Sequence, residues 1–343
     1  MKHTRERFGA AAYLLCSLLL AATLLLCVCA GSVAIPLSDT VAVIAAALRG
    51  VQPPEGVAGA IILSVRLPRV LCVALTGASL SLCGAAMQGL LRNPLADGST
   101  LGVSSGASLG AVLALALGVS VPGLPLAGTA VLAMGCAFLS LLLILSLAYA
   151  LDRSLATQSI ILIGVIFSMF ASSLISLIIA FAPERARTIT FWTMGSLSGS
   201  NYAQALLLAG ALLLCGAAIL GRTRELNAFA VGEDNARHVG VNVRRVKLVL
   251  LTAVSALIGV CVSVGGTIGF VGLVVPHMAR MTVGSNHARL LPASLFAGAI
   301  FLLLADLAAR TLLSPIELPI GVVTSLVGAV AFVLIFYRTR KGR

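Results

Sequence analysis

The chain has 343 residues, of which 59% are apolar and 10% are charged, and its mean hydropathy is +1.10. A soluble domain of this size could not bury so much apolar surface, so the composition indicates an integral membrane protein. The formal net charge of +12 raises the question of nucleic-acid binding. The basic residues are scattered between apolar segments, however, which argues against a nucleic-acid-binding face.

Ten apolar segments are long enough to cross a bilayer. They predict an all-α integral membrane protein with about ten transmembrane helices in a single domain, residues 1–343. The first segment follows MKHTRERF and is too long for a signal-peptide core, which predicts a retained first span. The short apolar segment 37–48 is expected to form a helix that lies along the outer surface and does not cross the membrane, before Pro53-Pro54 interrupts the regular structure. The predicted spans are residues 9–31, 66–90, 99–119, 124–150, 158–182, 202–220, 247–265, 268–284, 290–310 and 318–337.

The distribution of Lys and Arg predicts the orientation of these spans. With both termini in the cytoplasm, 17 of the 23 Lys and Arg residues lie on the inner side and only 6 on the outer side. Cytoplasmic loops carry the excess of basic residues in multi-pass proteins, so this topology is favoured over its reverse.

Three of the six outer bases stand at the ends of spans. Arg66 and Arg69 open the second span, and Arg310 ends the ninth. Asp306 precedes Arg310 by four residues, so the two are expected to share a helix face and to form a salt bridge that orients the arginine. Glu317, just before the last span, is expected to help start that helix.

Small residues in the second and third spans predict that helix backbones approach each other closely there. They are Gly77, Gly84, Gly102, Gly106 and Gly110.

The one substantial polar segment, residues 221–247, is where the chain can best contact a water-soluble partner. Residues 227–239 have acidic residues early and basic residues late, the order that a helix dipole favours, and predict one short cytoplasmic helix with Gly240 as its C-terminal glycine. Gly232, Ala236 and Gly240 recur every four residues, so they are expected to share one face and leave a shallow surface for another protein. An ordinary solvated helix is an equal alternative.

Several functions lack their sequence signatures. The chain has no phosphate-binding loop, no HExxH or GxSxG motif and no cysteine spacing typical of zinc, so neither a catalytic site nor a metal site is predicted. Its eight cysteines are interpreted as small buried hydrophobic residues. Asp306 is the only acid inside a predicted span, which argues against an ion-coupled carrier.

Six segments, spread over nearly the whole chain, together carry a resemblance to a known family. They are RLPR (66–69), QGLLRNPLADGSTLGVSSGASLG (88–110), GEDNARHVGV (232–241), GGTIGFVGLVVPHMAR (265–280), LLLADLAAR (302–310) and ELPIGVVTSLVGA (317–329). In this combination and order the chain resembles the FecCD/BtuC family. Its members are permease subunits of ABC importers for iron chelates, haem and cobalamin.

The resemblance implies a type II ABC importer permease, a BtuC-like bundle in the cytoplasmic membrane of a bacterium or archaeon. It implies four kinds of contact: a second permease copy or paralogue, two cytoplasmic ATPase subunits, an extracytoplasmic substrate-binding protein and the lipid bilayer. ATP hydrolysis would then reside on the partner subunits, so the chain itself is expected to be no enzyme and to hold no cofactor.

The resemblance also implies roles for individual residues. The polar segment corresponds to a coupling helix at about residues 227–240, with Gly232, Glu233, Ala236, Arg237 and Gly240 at the ATPase contact. The binding protein would dock on Arg66, Arg69 and Arg310. The cytoplasmic gate would consist of Asn93, Leu95, Thr157 and Gln158. The turn at 96–100 lacks the proline-glycine pair that the family often has there.

The expected mechanism is alternating access through a central cavity between two permeases, lined by small and apolar residues. Family frequency favours a ferric siderophore as cargo, with haem and cobalamin left open. A secondary transporter is the alternative from another class, and a membrane-embedded enzyme is a more distant one.

Overall fold

The computed structural model describes residues 9–31, 35–51, 57–119, 127–151 and 157–341. The basic amino-terminal segment and the Pro53-Pro54 pair lie outside these ranges. The described chain contains helices and no strand. The helices are α1 (Ala10–Cys29), α2 (Leu37–Leu48), α3 (Val57–Ala60), α4 (Leu67–Leu90), α5 (Val103–Leu117), α6 (Ala127–Leu151), α7 (Thr157–Phe181), α8 (Ala186–Thr193), α9 (Tyr202–Leu220), α10 (Thr223–Val231), α11 (Glu233–His238), α12 (Val243–Gly265), α13 (Val271–Val283), α14 (His287–Thr311) and α15 (Ile320–Lys341).

Each of the ten predicted spans coincides with one helix, which confirms an all-α bundle of about ten membrane helices. Within the described ranges, seven helices are long and apolar enough to cross a membrane by length and composition, and α5, α13 and the apolar part of α15 are shorter. The largest departure is at the second span. A π-helical segment, Ile61–Arg66, joins α3 to α4, so a continuous helix begins well before residue 66.

Helix α4 lies at the centre of the bundle and packs against α9, α12, α13 and α14. Its glycines allow this: a methyl group on Gly77 would meet the backbone of Gly298 in α14, and one on Gly84 would meet the backbone of Gly272 in α13. Helix backbones approach closely in a bilayer where small residues face each other. The close packing predicted from glycines is therefore confirmed at these crossings.

Two helices start in the interior of the bundle. Leu80 lies near the middle of α4, and its carbonyl oxygen is next to Gly272 near the start of α13. Asp97, in the segment that leads to α5, is next to Gly272 as well. The segment between α4 and α5 thus continues to the middle of the bundle, where the short helices α5 and α13 begin.

The outward surfaces of α1, α6, α7 and α9 carry many exposed large apolar side chains, such as Leu14, Leu139, Phe170 and Leu213. Such faces are expected where helices meet lipid or another membrane subunit. Helix α2 is confirmed as a helix, and it buries Thr40 and Val43.

Candidate functional site

A buried ion cluster lies at one end of the bundle. We call this end of the bundle, which holds Arg66, Arg69 and Arg310, the arginine end. Asp306 of α14 has a side chain that is 1% exposed, and its Oδ1 lies 2.9 Å from Arg69 Nη2 while its Oδ2 lies 3.0 Å from Arg310 Nε. Arg69 Nη1 also lies 2.9 Å from Glu317 Oε2, and the Glu317 side chain is 41% exposed. The predicted Asp306–Arg310 salt bridge is confirmed, and Arg69 joins it from a distant part of the sequence.

Two arginines of this end hold the last turn of α1. Arg66 Nη1 donates hydrogen bonds of 2.7 and 2.9 Å to the carbonyl oxygens of Val28 and Cys29. Arg310 Nη2 donates one of 3.1 Å to the carbonyl oxygen of Cys27. The last carbonyl groups of a helix have no partner within the helix and carry a partial negative charge, so cations stabilise them.

The three arginines that the resemblance assigns to docking are not exposed side chains in the structure. Arg66, Arg69 and Arg310 do come together at one end of the bundle, but all three are buried. The physical reason is that an arginine side chain between apolar helices is stabilised by internal carboxylates and carbonyl groups. Their assignment to docking stays a prediction.

The polar segment forms two helices, so the prediction of one helix from Asn227 to Val239 is wrong. Gly232 has φ 135°, ends α10 and starts α11. This backbone conformation favours glycine. The break turns α11 so that Ala236 is buried among apolar residues such as Phe229 and Val243.

The face that α11 exposes is therefore different from the predicted one. Gly232 and Ala236 are buried, and the expected shallow surface of small residues is wrong. Gly240 does follow the helix with φ 85°, and its N–H donates to the carbonyl oxygen of Arg237, as expected of a C-terminal glycine. Arg237 is exposed, and Val231 and Val239 beside α11 are 71% and 73% exposed.

Glu233, the first residue of α11, connects three elements. Lys247 of α12 has a side chain that is 1% exposed, and its Nζ lies 2.7 Å from Glu233 Oε1. Thr157 Oγ1, at the start of α7, donates a hydrogen bond of 3.2 Å to the same carboxylate. We call Glu233, Lys247 and Thr157 the Glu233 junction. It joins a residue predicted for ATPase coupling to a residue predicted for the gate.

The other predicted gate residues lie near the same end of the bundle. Asn93 Oδ1 accepts a hydrogen bond of 2.9 Å from the Leu95 N–H, which fixes the turn, and the Leu95 side chain is exposed. Gln158 is also exposed. The guanidinium of Arg92, in the same turn as Asn93, is next to Gly232, since a methyl group on Gly232 would lie 3.8 Å from Arg92 Nη1. The two segments predicted to form the gate thus both approach the start of α11.

A cavity of about 440 Å³ lies where α5 and α13 begin, at the middle of the bundle. Seven hydroxyl groups and one carboxylate line it, and its described lining contains no Lys, Arg or His. The polar lining residues are Asp97, Ser104, Ser105, Ser108, Ser172, Ser176, Thr193 and Thr267. Ser172 and Ser176 are exposed on α7, so the cavity opens on the surface of the chain beside that helix.

Sequence reasoning missed two of these features. Lys247 was counted only as an inner basic residue. It lies in the first turns of the apolar helix α12, and its partner Glu233 stands 14 residues earlier in the sequence. The cavity hydroxyls come from separate segments, so no local motif brings them together. The serines in GVSSGASLG were the one available signal, and they were interpreted as small residues for close packing.

Comparison with known proteins gives consistent matches. A profile of the FecCD transport family matches residues 19–338. The uncharacterized ABC transporter permease protein YvrB of Bacillus subtilis (strain 168) is 46% identical over 82% of this chain and 80% of its own. The hemin transport system permease protein HmuU of Yersinia pestis is 40% identical over 82% of this chain and 84% of its own.

A solved structure of an inward-facing ABC transporter, described as of metal-chelate type, superimposes with a TM-score of 0.84. It is 32% identical and covers 96% of this chain and 100% of its own. Other relatives, at 37 to 41% identity, are named as permeases for molybdate, iron chelatin and vitamin B12. Similarity at this level therefore does not determine the cargo.

The buried ion cluster leads to a prediction about stability. Replacing Asp306 with Asn leaves two buried guanidinium groups without their shared carboxylate, and removal of one partner from a buried ion pair costs about 3–5 kcal/mol. We expect D306N to lower the unfolding temperature of the detergent-purified protein markedly, as measured by fluorescence-detected size exclusion after heating. E317Q is the matched control, because Glu317 is partly exposed and exposed pairs contribute about 0–1 kcal/mol. Equal losses in the two variants would contradict the prediction.

Proposed function

The chain belongs to the FecCD transport family, and on this premise we propose that it is the transmembrane permease subunit of an ABC importer for a bulky metal chelate, a ferric siderophore in the first instance. The observation that carries the proposal is the family match over residues 19–338. The fold of an inward-facing transporter described as of metal-chelate type supports it. Haem is the second candidate cargo, because a relative 40% identical is named as a hemin permease.

Uptake by living cells tests this proposal. Cells with and without the gene would receive radioactive iron as several ferric chelates under iron starvation, and labelled haem and cobalamin in parallel. We expect deletion to abolish uptake of one cargo, a plasmid copy to restore it, and ATP depletion to block it where dissipation of the ion gradients does not. Unchanged uptake of all three classes would contradict the importer assignment, and uptake driven by an ion gradient would support a secondary transporter.

The end of the bundle that holds α11 is proposed to face the cytoplasm and the ATPase subunits. The excess of Lys and Arg on that side supports this orientation. In this arrangement the ATPase contacts the exposed side chains Val231, Arg237 and Val239, which present two apolar groups on either side of a cation. Gly232, Ala236 and Gly240 contribute through backbone shape. ATP hydrolysis is assigned to the partner subunits.

The Glu233 junction is proposed to transmit ATPase movement to the gate. When the ATPases close and displace α11, Glu233 moves with it, because it is the first residue of that short helix. Its hydrogen bond to Thr157 then moves the start of α7, and the exposed Gln158, the next residue, moves with it. Arg92 beside Gly232 offers a second connection, to the turn of Asn93 and Leu95. Lys247 supports the carboxylate from α12.

Thr157→Val separates coupling from folding, because it removes only the link to α7 and leaves the Glu233–Lys247 pair. A hydrogen bond to a charged group contributes about 1.5–3 kcal/mol, so we expect the cargo transported per ATP hydrolysed to fall by roughly tenfold or more. ATPase binding should be unchanged. Reconstituted proteoliposomes provide both rates, and T157S, which keeps the hydroxyl, serves as control. Full coupling in T157V would remove the junction from the mechanism.

The arginine end is proposed to face outward and to receive the substrate-binding protein. Arg69 and Arg310 balance the carboxylates of Asp306 and Glu317 in the ion cluster, and the neighbouring Arg66, which donates hydrogen bonds to carbonyl oxygens of α1, makes the net charge of these five side chains positive. The Glu317 side chain reaches the surface and already forms a salt bridge with Arg69. Acidic residues of the binding protein would therefore meet a positive patch in which an internal carboxylate competes with them. Charge complementarity of this kind mainly sets the association rate and the register of a complex.

Glu317→Gln removes the competing carboxylate and should strengthen docking. We expect the cognate binding protein to associate roughly two to ten times faster with E317Q at low salt, with the difference reduced at high salt. Surface plasmon resonance on nanodisc-embedded permease measures these rates. Glu184→Gln removes an exposed acid away from the cluster and is the control. Weaker docking to E317Q, or an equal gain in E184Q, would contradict the role of the arginine end.

A further inference from the structure

Four of the seven hydroxyl groups that line the cavity where α5 and α13 begin donate their protons to backbone carbonyl oxygens. Ser108 donates a hydrogen bond of 2.9 Å to the Ser104 carbonyl oxygen, and Ser176 donates one of 3.0 Å to the Ser172 carbonyl oxygen. Thr193 likewise donates to the Thr190 carbonyl oxygen. Each hydroxyl carries a single proton, so once that proton is given to the backbone the oxygen has only lone pairs left to offer.

Thr267 follows the same rule, since its hydroxyl donates to the carbonyl oxygen of Thr193. Four of the seven hydroxyl groups therefore present acceptor oxygens to the cavity. Asp97 adds a carboxylate to the lining, and its Oδ1 accepts a hydrogen bond of 2.6 Å from the Gly98 N–H. The described lining contains no basic side chain, so the Asp97 carboxylate is its one full side-chain charge. The partial positive charges at the starts of α5 and α13 oppose this carboxylate, and the labelling experiment below measures which sign prevails.

The cavity also has the position of a cargo site. It lies at the middle of the bundle, where the short helices α5 and α13 begin, and secondary transporters place their substrate sites at comparable interruptions of their helices. It opens beside α7, the helix whose first residue belongs to the Glu233 junction. A volume of about 440 Å³ holds part of a chelate, such as one arm or one face.

We propose that this cavity contacts the cargo during translocation and favours a neutral or cationic face rich in hydrogen-bond donors over an anionic one. The inference rests on the proposed function and narrows its cargo class. Ferric hydroxamates with amide or ammonium groups fit this surface, whereas the carboxylates of haem or the charge of an oxyanion such as molybdate are disfavoured. A carboxylate in a surrounding of low dielectric repels anions over several ångströms.

Thiol labelling tests the electrostatics without knowledge of the cargo. Ser172→Cys would be placed in a chain whose eight native cysteines are replaced, assembled with its ATPase, and treated with a cationic and an anionic methanethiosulfonate of similar size. The labelling ratio is the rate with the cationic reagent divided by the rate with the anionic one, normalised to the same quotient for a free thiol in solution. We expect this ratio to be roughly 3 to 30 at Ser172→Cys. Asp97→Asn should reduce this ratio toward one.

Two controls keep the labelling interpretable. Ser198→Cys lies on an exposed loop outside the cavity lining, and its ratio should match the free thiol. If D97N does not fold, the ratio at Ser172→Cys measured from low to high salt replaces it, since screening should lower the ratio. A ratio of one or less at Ser172→Cys at low salt overturns the proposal.

Transport of a charge series supplies the second measurement. One linear ferric trihydroxamate would be used with its terminal ammonium free, acetylated or succinylated, giving charges of +1, 0 and −1. Transport rates by the reconstituted importer would be compared at saturating binding protein. We expect the anionic form to be transported at least several-fold more slowly than the other two, and D97N to narrow the gap.

The outcomes separate this inference from the function on which it rests. Equal transport of the three forms would overturn the charge preference while supporting the importer assignment. No ATP-dependent transport of any form would count against a hydroxamate cargo, and the labelling ratio would still decide the character of the cavity.

Discussion

Asp306 lies between Arg69 and Arg310 in the interior of the helix bundle, and the arginine end depends on this contact. Backbone and side-chain polar groups inside a bilayer have no water to bind, so each needs a partner within the protein. Arg310, oriented by Asp306, and Arg66 supply hydrogen bonds to the carbonyl groups at the end of α1. One carboxylate thereby links α4 and α14, while Arg310 of α14 and Arg66 of the π-helical segment before α4 hold α1. The same cluster carries the net positive charge on which our docking proposal rests.

The interruptions of the helices depend on close packing and leave room for the cavity. Close glycine contacts between α4 and α13 allow α13 to begin in the middle of the bundle, next to Gly84. There α13 and α5 leave space for a cavity, which continuous helices of full length would fill with side chains. Irregular backbone is tolerated at membrane depth where protein surrounds it or where it lines a cavity.

Local patterns in the sequence predicted much of the fold. Apolar runs predicted the positions of ten helices, and the spacing of four residues predicted the Asp306–Arg310 pair, because both depend on residues close in sequence. The break at Gly232 was missed, since a glycine in a helical pattern indicates neither a left-handed conformation nor the turn that buries Ala236. Contacts between distant residues, such as Thr157 with Glu233 or Arg69 with Asp306, depend on how helices pack, which one sequence does not reveal. The roles of the docking, coupling and gate residues remain predictions.

The capping of α1 also constrains how the protein is made. Val28 and Cys29 at the end of α1 bind Arg66, which is synthesised soon afterwards, whereas Cys27 binds Arg310, which lies 283 residues later. During insertion of the growing chain, the end of the first helix is therefore only partly satisfied until α14 has entered the membrane. A chain that stops before α14 therefore leaves the Cys27 carbonyl oxygen without its hydrogen bond from Arg310, and Arg69 without the carboxylates of Asp306 and Glu317.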